Sequence, residues 1–246
     1  MNIPKPGQAV PHLTTAQMIE VDRAMMEDYH IELIQMMENA GRNLAHLARI
    51  RFLDGDPRGR QVLVLAGTGG NGGGALVAAR HLHNWGSRVD VITTRLGDAF
   101  TPVPGHQLDI LRRMGVATRT ADEELHPGVP DLVVDGIIGY SLKGTPRGSA
   151  ARLIRLANSS GAPVLALDTP SGMVAGTGAV NDPVIRAAAT LTLALPKDGL
   201  LAPEMGAYTG ELYLADISVP PELYGSPSLG LSVPALFSKS EILRLK

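Results

Sequence analysis

The sequence predicts an α/β fold built on a doubly wound, mostly parallel sheet. Short apolar runs rich in Val and Leu alternate with segments whose apolar residues repeat at helical spacing. Several of those runs lead directly into a glycine-rich loop or end in an aspartate. With 246 residues, the chain is long enough for one large core. We therefore predict a single domain over residues 1–246, with an extension over 1–12 and a tail over 220–246.

The chain begins with two predicted helices. Thr14 or Thr15 is a suitable N-cap for the first, which runs to about residue 30, and the second covers residues 33–52. Both have apolar stripes rich in methionine, and packing is the simplest role for those methionines. Gly41 lowers the propensity of the second helix, so we expect another helix to cross closely there.

The remaining elements follow in alternation. Predicted strands cover 61–66, 88–93, 116–119, 132–135, 163–167, 190–195 and 211–215. Predicted helices run from about Ala75 to Trp85, over 107–114 and over 150–160. A Pro-, Gly- and Ser-rich tail then leads to a short final helix over 238–245.

The most distinctive segment is the glycine loop, residues 67–74, between the first strand and its helix. Its backbone N–H groups and the positive end of the helix predict a cradle for the phosphates of a nucleotide-like ligand. Gly67, Gly69 and Gly72 fit G-x-G-x-x-G, which is a weak signal in so glycine-rich a loop. A Walker-type phosphate loop is excluded, because no Lys-Ser or Lys-Thr pair follows the glycines. A tight turn without a ligand is the alternative.

Three predicted strands end in loops with candidate functional residues. The first leads into the glycine loop, the second ends at Asp135 and precedes 139–147, and the third leads to Asp168, Pro170, Ser171 and Gly172. The carboxyl ends of parallel strands share one edge, where ligands of such sheets bind. Either aspartate alone is explained as well by a turn or a helix cap. Their convergence favours a binding site.

Composition limits the partners and the chemistry that can be expected of the protein. A net charge of −2 gives no electrostatic reason to expect nucleic acid or a membrane surface as partner. The absence of cysteine excludes disulfides, metal thiolates and a thiol nucleophile. The sequence contains neither a signal-peptide pattern nor an apolar run of membrane-spanning length, so we expect a cytoplasmic protein.

Several segments together resemble one family. In order they are LIQMMENAGRNLA, VLAGTGGNGGGALVAARHL, VDGIIGYSLKGTPR, LALDTPSG, TLTLALPKDGL and GELYLADISVP. They resemble the NAD(P)H-hydrate epimerase family, also called the YjeF N-terminal domain. The resemblance implies a three-layer αβα Rossmann-like domain that forms a homodimer and binds hydrated NAD(P)H with a potassium ion. It also implies, as functional partner, a separate ADP- or ATP-dependent NAD(P)HX dehydratase.

The implied reaction interconverts the R and S forms of NADHX and NADPHX at nicotinamide C6. A positioned acid/base suffices, because the ring nitrogen can drive departure of the C6 oxygen. By the resemblance, Asp168 is the catalytic residue, and Asn71, Asp135 and Ser171 bind potassium. The implied substrate-binding residues are Gly70, Asn71, Gly72, Gly73, Gly74, Gly139, Tyr140, Ser141, Leu142, Lys143, Gly144, Thr145 and Asp168. Lys143 is suited to a phosphate or to solvent, and the role of Lys197 stays open.

The glycine loop also departs from the family pattern G-N-N-G-G-D-G. Gly70 and Gly74 stand in place of the first Asn and the Asp, and Ala75 in place of the last Gly. A non-catalytic nucleotide-ligand-binding or scaffold member of the family is therefore the alternative function. An ordinary NAD(P) dehydrogenase is a third possibility, since Arg95 lies where an NADP phosphate can bind. No catalytic Tyr-Lys or His-Asp pair supports it.

Overall fold

A twisted sheet organises the protein in the computed structural model, which describes residues 3–123 and 128–246. Its strands are β1 (Gln61–Ala66), β2 (Arg88–Thr93), β3 (Ala117–Thr120), β4 (Leu132–Gly136), β5 (Val164–Leu167), β6 (Ala189–Leu193), β7 (Glu211–Ala215) and β8 (Ile242–Arg244). Their spatial order is β3-β2-β1-β4-β5-β6-β7-β8. Neighbouring strands are parallel except β8, which runs antiparallel to β7.

Seven α-helices connect or cover these strands in the described part of the chain. They are α1 (Thr15–Glu27), α2 (Leu33–Phe52), α3 (Gly70–Asn84), α4 (Pro102–Arg113), α5 (Gly148–Ser159), α6 (Gly206–Thr209) and α7 (Pro221–Tyr224). The predicted cap of α1 is confirmed at Thr14, whose hydroxyl accepts the Gln17 N–H at 3.1 Å. None of the described helices is long and apolar enough to cross a membrane.

The strands bury both faces, as a three-layer arrangement requires. In β1, Val62 and Val64 pack in the core cluster that includes α2, α3 and α4, whereas Leu63 and Leu65 pack in the cluster of α5. The predicted α/β class and doubly wound sheet are therefore confirmed. The predicted close crossing at Gly41 is also present, because a Cβ there would lie 2.4 Å from the Cβ of Val77 on α3.

Three predicted elements differ from the structure. The helix predicted over 107–114 is α4, which begins earlier, at Pro102, because proline fits the first turn of a helix. The predicted final helix over 238–245 is wrong: Ile242–Arg244 forms β8 on the free edge of β7, where unpaired backbone groups favour a further strand. α3 begins at Gly70 instead of near Ala75. Tertiary packing of the first glycine turn against α2 overrides its poor helix propensity, since a Cβ at Gly73 would lie 2.5 Å from the Met37 sulfur.

The strand order reverses between β1 and β4, because β1 pairs with β2 on one side and with β4 on the other. In doubly wound sheets this reversal opens a crevice beyond the carboxyl ends of the strands. The glycine loop and the residues that follow β4 and β5 lie at that edge.

Candidate active site

A cavity of about 880 Å³ occupies the crevice beyond the carboxyl ends of β1, β4 and β5. Residues of the glycine loop form one wall, namely Gly67, Thr68, Gly69, Gly70, Asn71, Gly72 and Gly74. The first N–H groups of α3 have no acceptor within the helix and carry its positive dipole end. The predicted cradle therefore lines a cavity wide enough for a nucleotide-sized ligand.

The positions in this wall differ in whether, and why, they require glycine. A Cβ at Gly72 would lie 2.0 Å from the carbonyl oxygen of Gly67, and one at Gly67 would lie 2.1 Å from that of Ile137. Backbone contacts of this kind allow no side chain. Gly69 and Gly70 face open space. Gly73, although predicted to bind substrate, packs against Met37 and is absent from the residues that line the cavity.

Asp135 lies at the end of β4 and is fully buried. The Ser171 hydroxyl donates to its Oδ1 at 2.6 Å, the Ser171 N–H donates to its Oδ2 at 2.9 Å, and the Ile137 N–H donates at 3.1 Å. All three donors are neutral. Burial raises the pKa of Asp135 to about 6, against the lowering effect of these hydrogen bonds.

Asp168 directly follows β5 and is 3% exposed. Its φ of 64° is in the left-handed region, a conformation that a non-glycine residue keeps only where its surroundings impose it. Its Oδ1 accepts a hydrogen bond from the ammonium of Lys197. Lys197 is itself fully buried, and its ammonium also donates to the Leu193 carbonyl at 2.9 Å. Lys197, whose role the sequence left open, is thus the counter-charge of Asp168.

The loop after β4 divides into two parts. Gly139, Tyr140 and Ser141 line the cavity, and the Tyr140 N–H donates to Oδ2 of Asp168 at 3.3 Å. The other predicted contacts, Leu142, Lys143, Gly144 and Thr145, are not among the lining residues. Lys143 is exposed to solvent, and the Thr145 hydroxyl donates to Asn181 at 3.1 Å. The structure therefore brings together only the first three residues of this predicted run.

Sequence reasoning missed Asp22, which lines the cavity from α1. The Tyr140 hydroxyl donates to its Oδ2 at 2.6 Å. Met18, Asp22 and Met26 are spaced four residues apart and line the cavity together. An acidic residue inside an apolar helical stripe is the signal that was available. The methionines predicted to pack do so at Met18, Met36 and Met37, and the same side chains form the apolar wall.

The three residues implied for potassium lie around the loop after β4. The Ser171 hydroxyl accepts the Ile138 N–H at 2.9 Å, and a Cβ at the adjacent Gly139 would lie 3.3 Å from the Asn71 Oδ1. The buried Nδ2 of Asn71 has no hydrogen-bond partner among the described residues. Rotating that amide by half a turn presents its oxygen at the same place. Amide, carboxylate and hydroxyl oxygens suit a hard cation, so this donor set fits potassium.

Comparison with known proteins gives consistent matches. Residues 33–199 match the family described as YjeF-related protein N-terminus. The chain is 45% identical to the NAD(P)H-hydrate epimerase of Dehalogenimonas lykanthroporepellens, with 89% of this chain and 86% of that protein aligned. It is 36% identical to the bifunctional NAD(P)H-hydrate repair enzyme Nnr of Moorella thermoacetica, with 86% of this chain and 41% of that protein aligned. Among solved structures, yeast ynu0 has a TM-score of 0.80 at 26% identity, covering 96% of this chain and 100% of the yeast chain.

Proposed function

Because the chain belongs to the family of YjeF-related protein N-termini, we propose that it is an NAD(P)H-hydrate epimerase. It interconverts the R and S forms of NADHX and NADPHX at nicotinamide C6. One observation carries the proposal: a buried carboxylate, Asp168, lies in the same cavity as the anion-binding N-terminus of α3. A dinucleotide needs both, since its phosphates are anions and its hydrated ring needs proton transfer.

The substrate carries its hydroxyl on a carbon bonded to the ring nitrogen. The nitrogen lone pair can expel that oxygen once it is protonated, which leaves a planar C6 that water can attack from either face. Asp168 supplies the acid/base at C6. Lys197 and the Tyr140 N–H each hold one of its oxygens, so they fix the direction of the carboxylate.

Binding is assigned to the two loops that flank the sheet reversal. The N–H groups of Gly70, Asn71 and Gly72 bind the phosphates, and Gly74, Gly139, Tyr140 and Ser141 enclose the rest of the ligand. The apolar side chains of α1 and α2 pack against the ring.

We also assign Asn71, Asp135 and Ser171 to a potassium ion. When bound, the ion offsets the buried negative charge of Asp135 and ties the glycine loop to the loops after β4 and β5. Two observations support this assignment. Asp135 accepts hydrogen bonds from neutral donors, and the buried Asn71 amide nitrogen has no hydrogen-bond partner among the described residues.

The wider assignments rest on the resemblance. They are a single domain over 1–246, a homodimer, a cytoplasmic location and a separate ADP- or ATP-dependent NAD(P)HX dehydratase that consumes one epimer. Continuity of the sheet from Gln61 to Arg244 supports the single domain. The bifunctional relative named above gives a reason to seek the dehydratase partner.

The test is an assay in which purified protein equilibrates R-NADHX and S-NADHX, with potassium or with choline at equal ionic strength. We expect equilibration above the spontaneous rate and a faster rate with potassium. A rate no greater than that of buffer overturns the epimerase proposal. Gly74 favours the alternative, a nucleotide-binding member without activity, because it removes an acid from the cavity wall. Binding of NADH-hydrate without turnover supports that alternative.

A further inference from the structure

Two carboxyl groups face the candidate active-site cavity from different layers of the fold. Asp168 follows a strand of the central sheet, whereas Asp22 lies on α1. Tyr140 contacts both, because its N–H donates to Asp168 at 3.3 Å and its hydroxyl donates to Asp22 at 2.6 Å. The backbone end of Tyr140 therefore holds one carboxyl group and its hydroxyl end holds the other.

Asp22 does not take part in an ordinary surface ion pair. Its neighbour Arg23 pairs instead with Glu20, Glu27 and Asp28. Within the described residues, the hydrogen-bond partner of Asp22 is the neutral Tyr140 hydroxyl. A half-buried acid without a cationic partner, lining a cavity, is costly for stability alone.

The two carboxyl groups also differ in electrostatic setting. Burial and the nearby charge of Asp168 raise the pKa of Asp22, while the Tyr140 hydrogen bond and the charge of Lys197 lower it, and the net direction is upward. Burial and Asp22 raise the pKa of Tyr140, so its hydroxyl stays a hydrogen-bond donor. Asp168, in contrast, has the ammonium of Lys197 in contact. Groups set apart in this way suit opposite acid and base roles.

We propose that Asp22 is a second proton-transfer residue of the epimerisation, acting on the face of the nicotinamide ring opposite to Asp168. The inference rests on the proposed epimerase function and deepens it. A single acid/base returns oxygen most readily to the face from which it left. Two groups on opposite faces give inversion in each turnover.

The proton and oxygen balance is complete without a further reactant. Protonated Asp22 gives its proton to the C6 hydroxyl, the C6–O bond breaks, and water leaves as the nitrogen lone pair forms a C6=N bond. Water then adds to C6 from the other face and gives a proton to Asp168. One water is lost and one is gained, and the two carboxyl groups exchange protonation states. Proton exchange with solvent restores the starting form before the next turnover in the same direction. The reverse reaction uses the same groups in exchanged roles.

The test compares wild type, Asp22→Asn and Asp168→Asn in water enriched in oxygen-18. R and S epimers are separated by chromatography, and the label at C6 is read by mass spectrometry. We expect Asp22→Asn to epimerise at least about a hundredfold more slowly than wild type, the usual contribution of an acid/base group. It should still exchange the oxygen of one epimer with retention. Asp168→Asn should retain exchange of the other epimer.

Controls separate this role from a structural one. Asp28→Asn, at the residue that follows α1, should leave both rates unchanged, and Asp22→Glu should restore part of the inversion. Tyr140→Phe keeps the ring and removes the hydrogen bond, so it provides a second variant if Asp22→Asn does not fold. Melting temperature and NADH-hydrate affinity should stay near wild type in Asp22→Asn, Asp22→Glu and Asp28→Asn. Asp168→Asn leaves the Lys197 ammonium without its partner, so it is assayed well below its own, lower melting temperature.

The outcomes are distinguishable. A wild-type rate equal to buffer overturns the epimerase function and this inference with it. A wild-type rate above buffer, combined with an Asp22→Asn rate within a few-fold of wild type, overturns this inference alone. Equal loss of oxygen exchange from both epimers in Asp22→Asn also overturns it, because one remaining group should still act on its own face.

Discussion

The ends of β4 and β5 place two buried aspartates side by side, and their surroundings differ. β4 and β5 are parallel neighbours, with Asp135 aligned to Ala166. Asp135 accepts hydrogen bonds from neutral donors only, namely Ser171 and the Ile137 N–H. Asp168, two residues beyond Ala166, contacts the buried ammonium of Lys197. Neighbouring strand ends therefore do not give equivalent electrostatics.

The difference indicates a division of roles. A buried carboxylate with neutral donors has its charge uncompensated within the protein, which favours an external cation. A carboxylate with its own ammonium is already compensated and held in one orientation, which suits contact with a reacting substrate. Under the proposed function, ion binding belongs to the end of β4 and the chemistry to the end of β5.

The largest expected effect comes from Asp168→Asn. It removes the acid/base, so epimerisation should fall by about 10²- to 10⁴-fold. It also leaves the Lys197 ammonium buried without a counter-charge, which should lower the free energy of unfolding by about 3–5 kcal/mol. Epimerisation rates and denaturant unfolding, measured on the same preparation, test both effects.

The matched control is the double variant Asp168→Asn with Lys197→Met, which removes both charges. It should regain part of the lost stability while staying inactive, because no buried charge is left unpaired. If Asp168→Asn is as stable as wild type, the ion pair does not distinguish the two strand ends and the comparison fails.

The sequence predicted this region unevenly. Strand ends at Asp135 and near Asp168 were predicted, because buried parallel strands have continuous apolar runs with clear limits. The contact of Lys197 with Asp168 was not predicted, because it joins residues that are 29 positions apart, with β6 between them. Asp22 was missed for a similar reason: Tyr140, its partner, is 118 positions away. The spacing of apolar residues indicates helices and strands, whereas a site depends on contacts between residues that are far apart in the sequence.

The errors at element boundaries also have physical causes. The start of α3 was placed too late because glycine has low helix propensity. The close packing of α2 against α3 nevertheless requires glycine at Gly41 on α2 and at Gly73 on α3. The final helix was predicted from a short segment, in which periodicity does not distinguish helix from strand. Its pairing with β7 decided the outcome.

Asp135→Asn should have a smaller effect on folding than Asp168→Asn. The amide cannot accept all three hydrogen bonds of the carboxylate, so we expect a loss of about 1–3 kcal/mol. No buried cation is left behind. The variant should lose any increase in melting temperature that potassium chloride gives to wild type over choline chloride at equal ionic strength. An undiminished potassium effect in Asp135→Asn excludes Asp135 as an ion ligand.

The pH dependence should separate the two aspartates further. Burial raises the pKa of Asp135 from 3.8 to about 6, so between these values the folded protein holds a proton that the unfolded chain has released. Without potassium, this group makes stability fall as pH rises through that window. Potassium competes with the proton, so its stabilising effect should be complete above pH 6 and decline as pH falls below it. Melting temperatures from pH 4.5 to 7.5, with Asp135→Asn as the flat control, test this sign.

The smallest expected effect is that of Gly74→Asp, which adds a third carboxylate near the end of β5. A Cβ at Gly74 would lie 2.8 Å from Cδ2 of Leu167, which is itself buried. Leu167 must shift and a carboxylate enters a buried position, so the free energy of unfolding should fall by about 1–3 kcal/mol, and the effect that is smallest in this set is the effect on rate.

The matched control for Gly74→Asp is Gly70→Asn, whose Cβ meets open space at the first residue of the same helix. Asp168 is already paired with the Lys197 ammonium, and Asp135 is assigned to the potassium ion, so both proposed roles are filled. A further acid should therefore change the epimerisation rate less than about tenfold. Steady-state rates of both variants at one potassium concentration decide the matter. An increase well beyond tenfold in Gly74→Asp alone means that the two aspartates are insufficient and that the acid absent from the glycine loop belongs to the catalytic set.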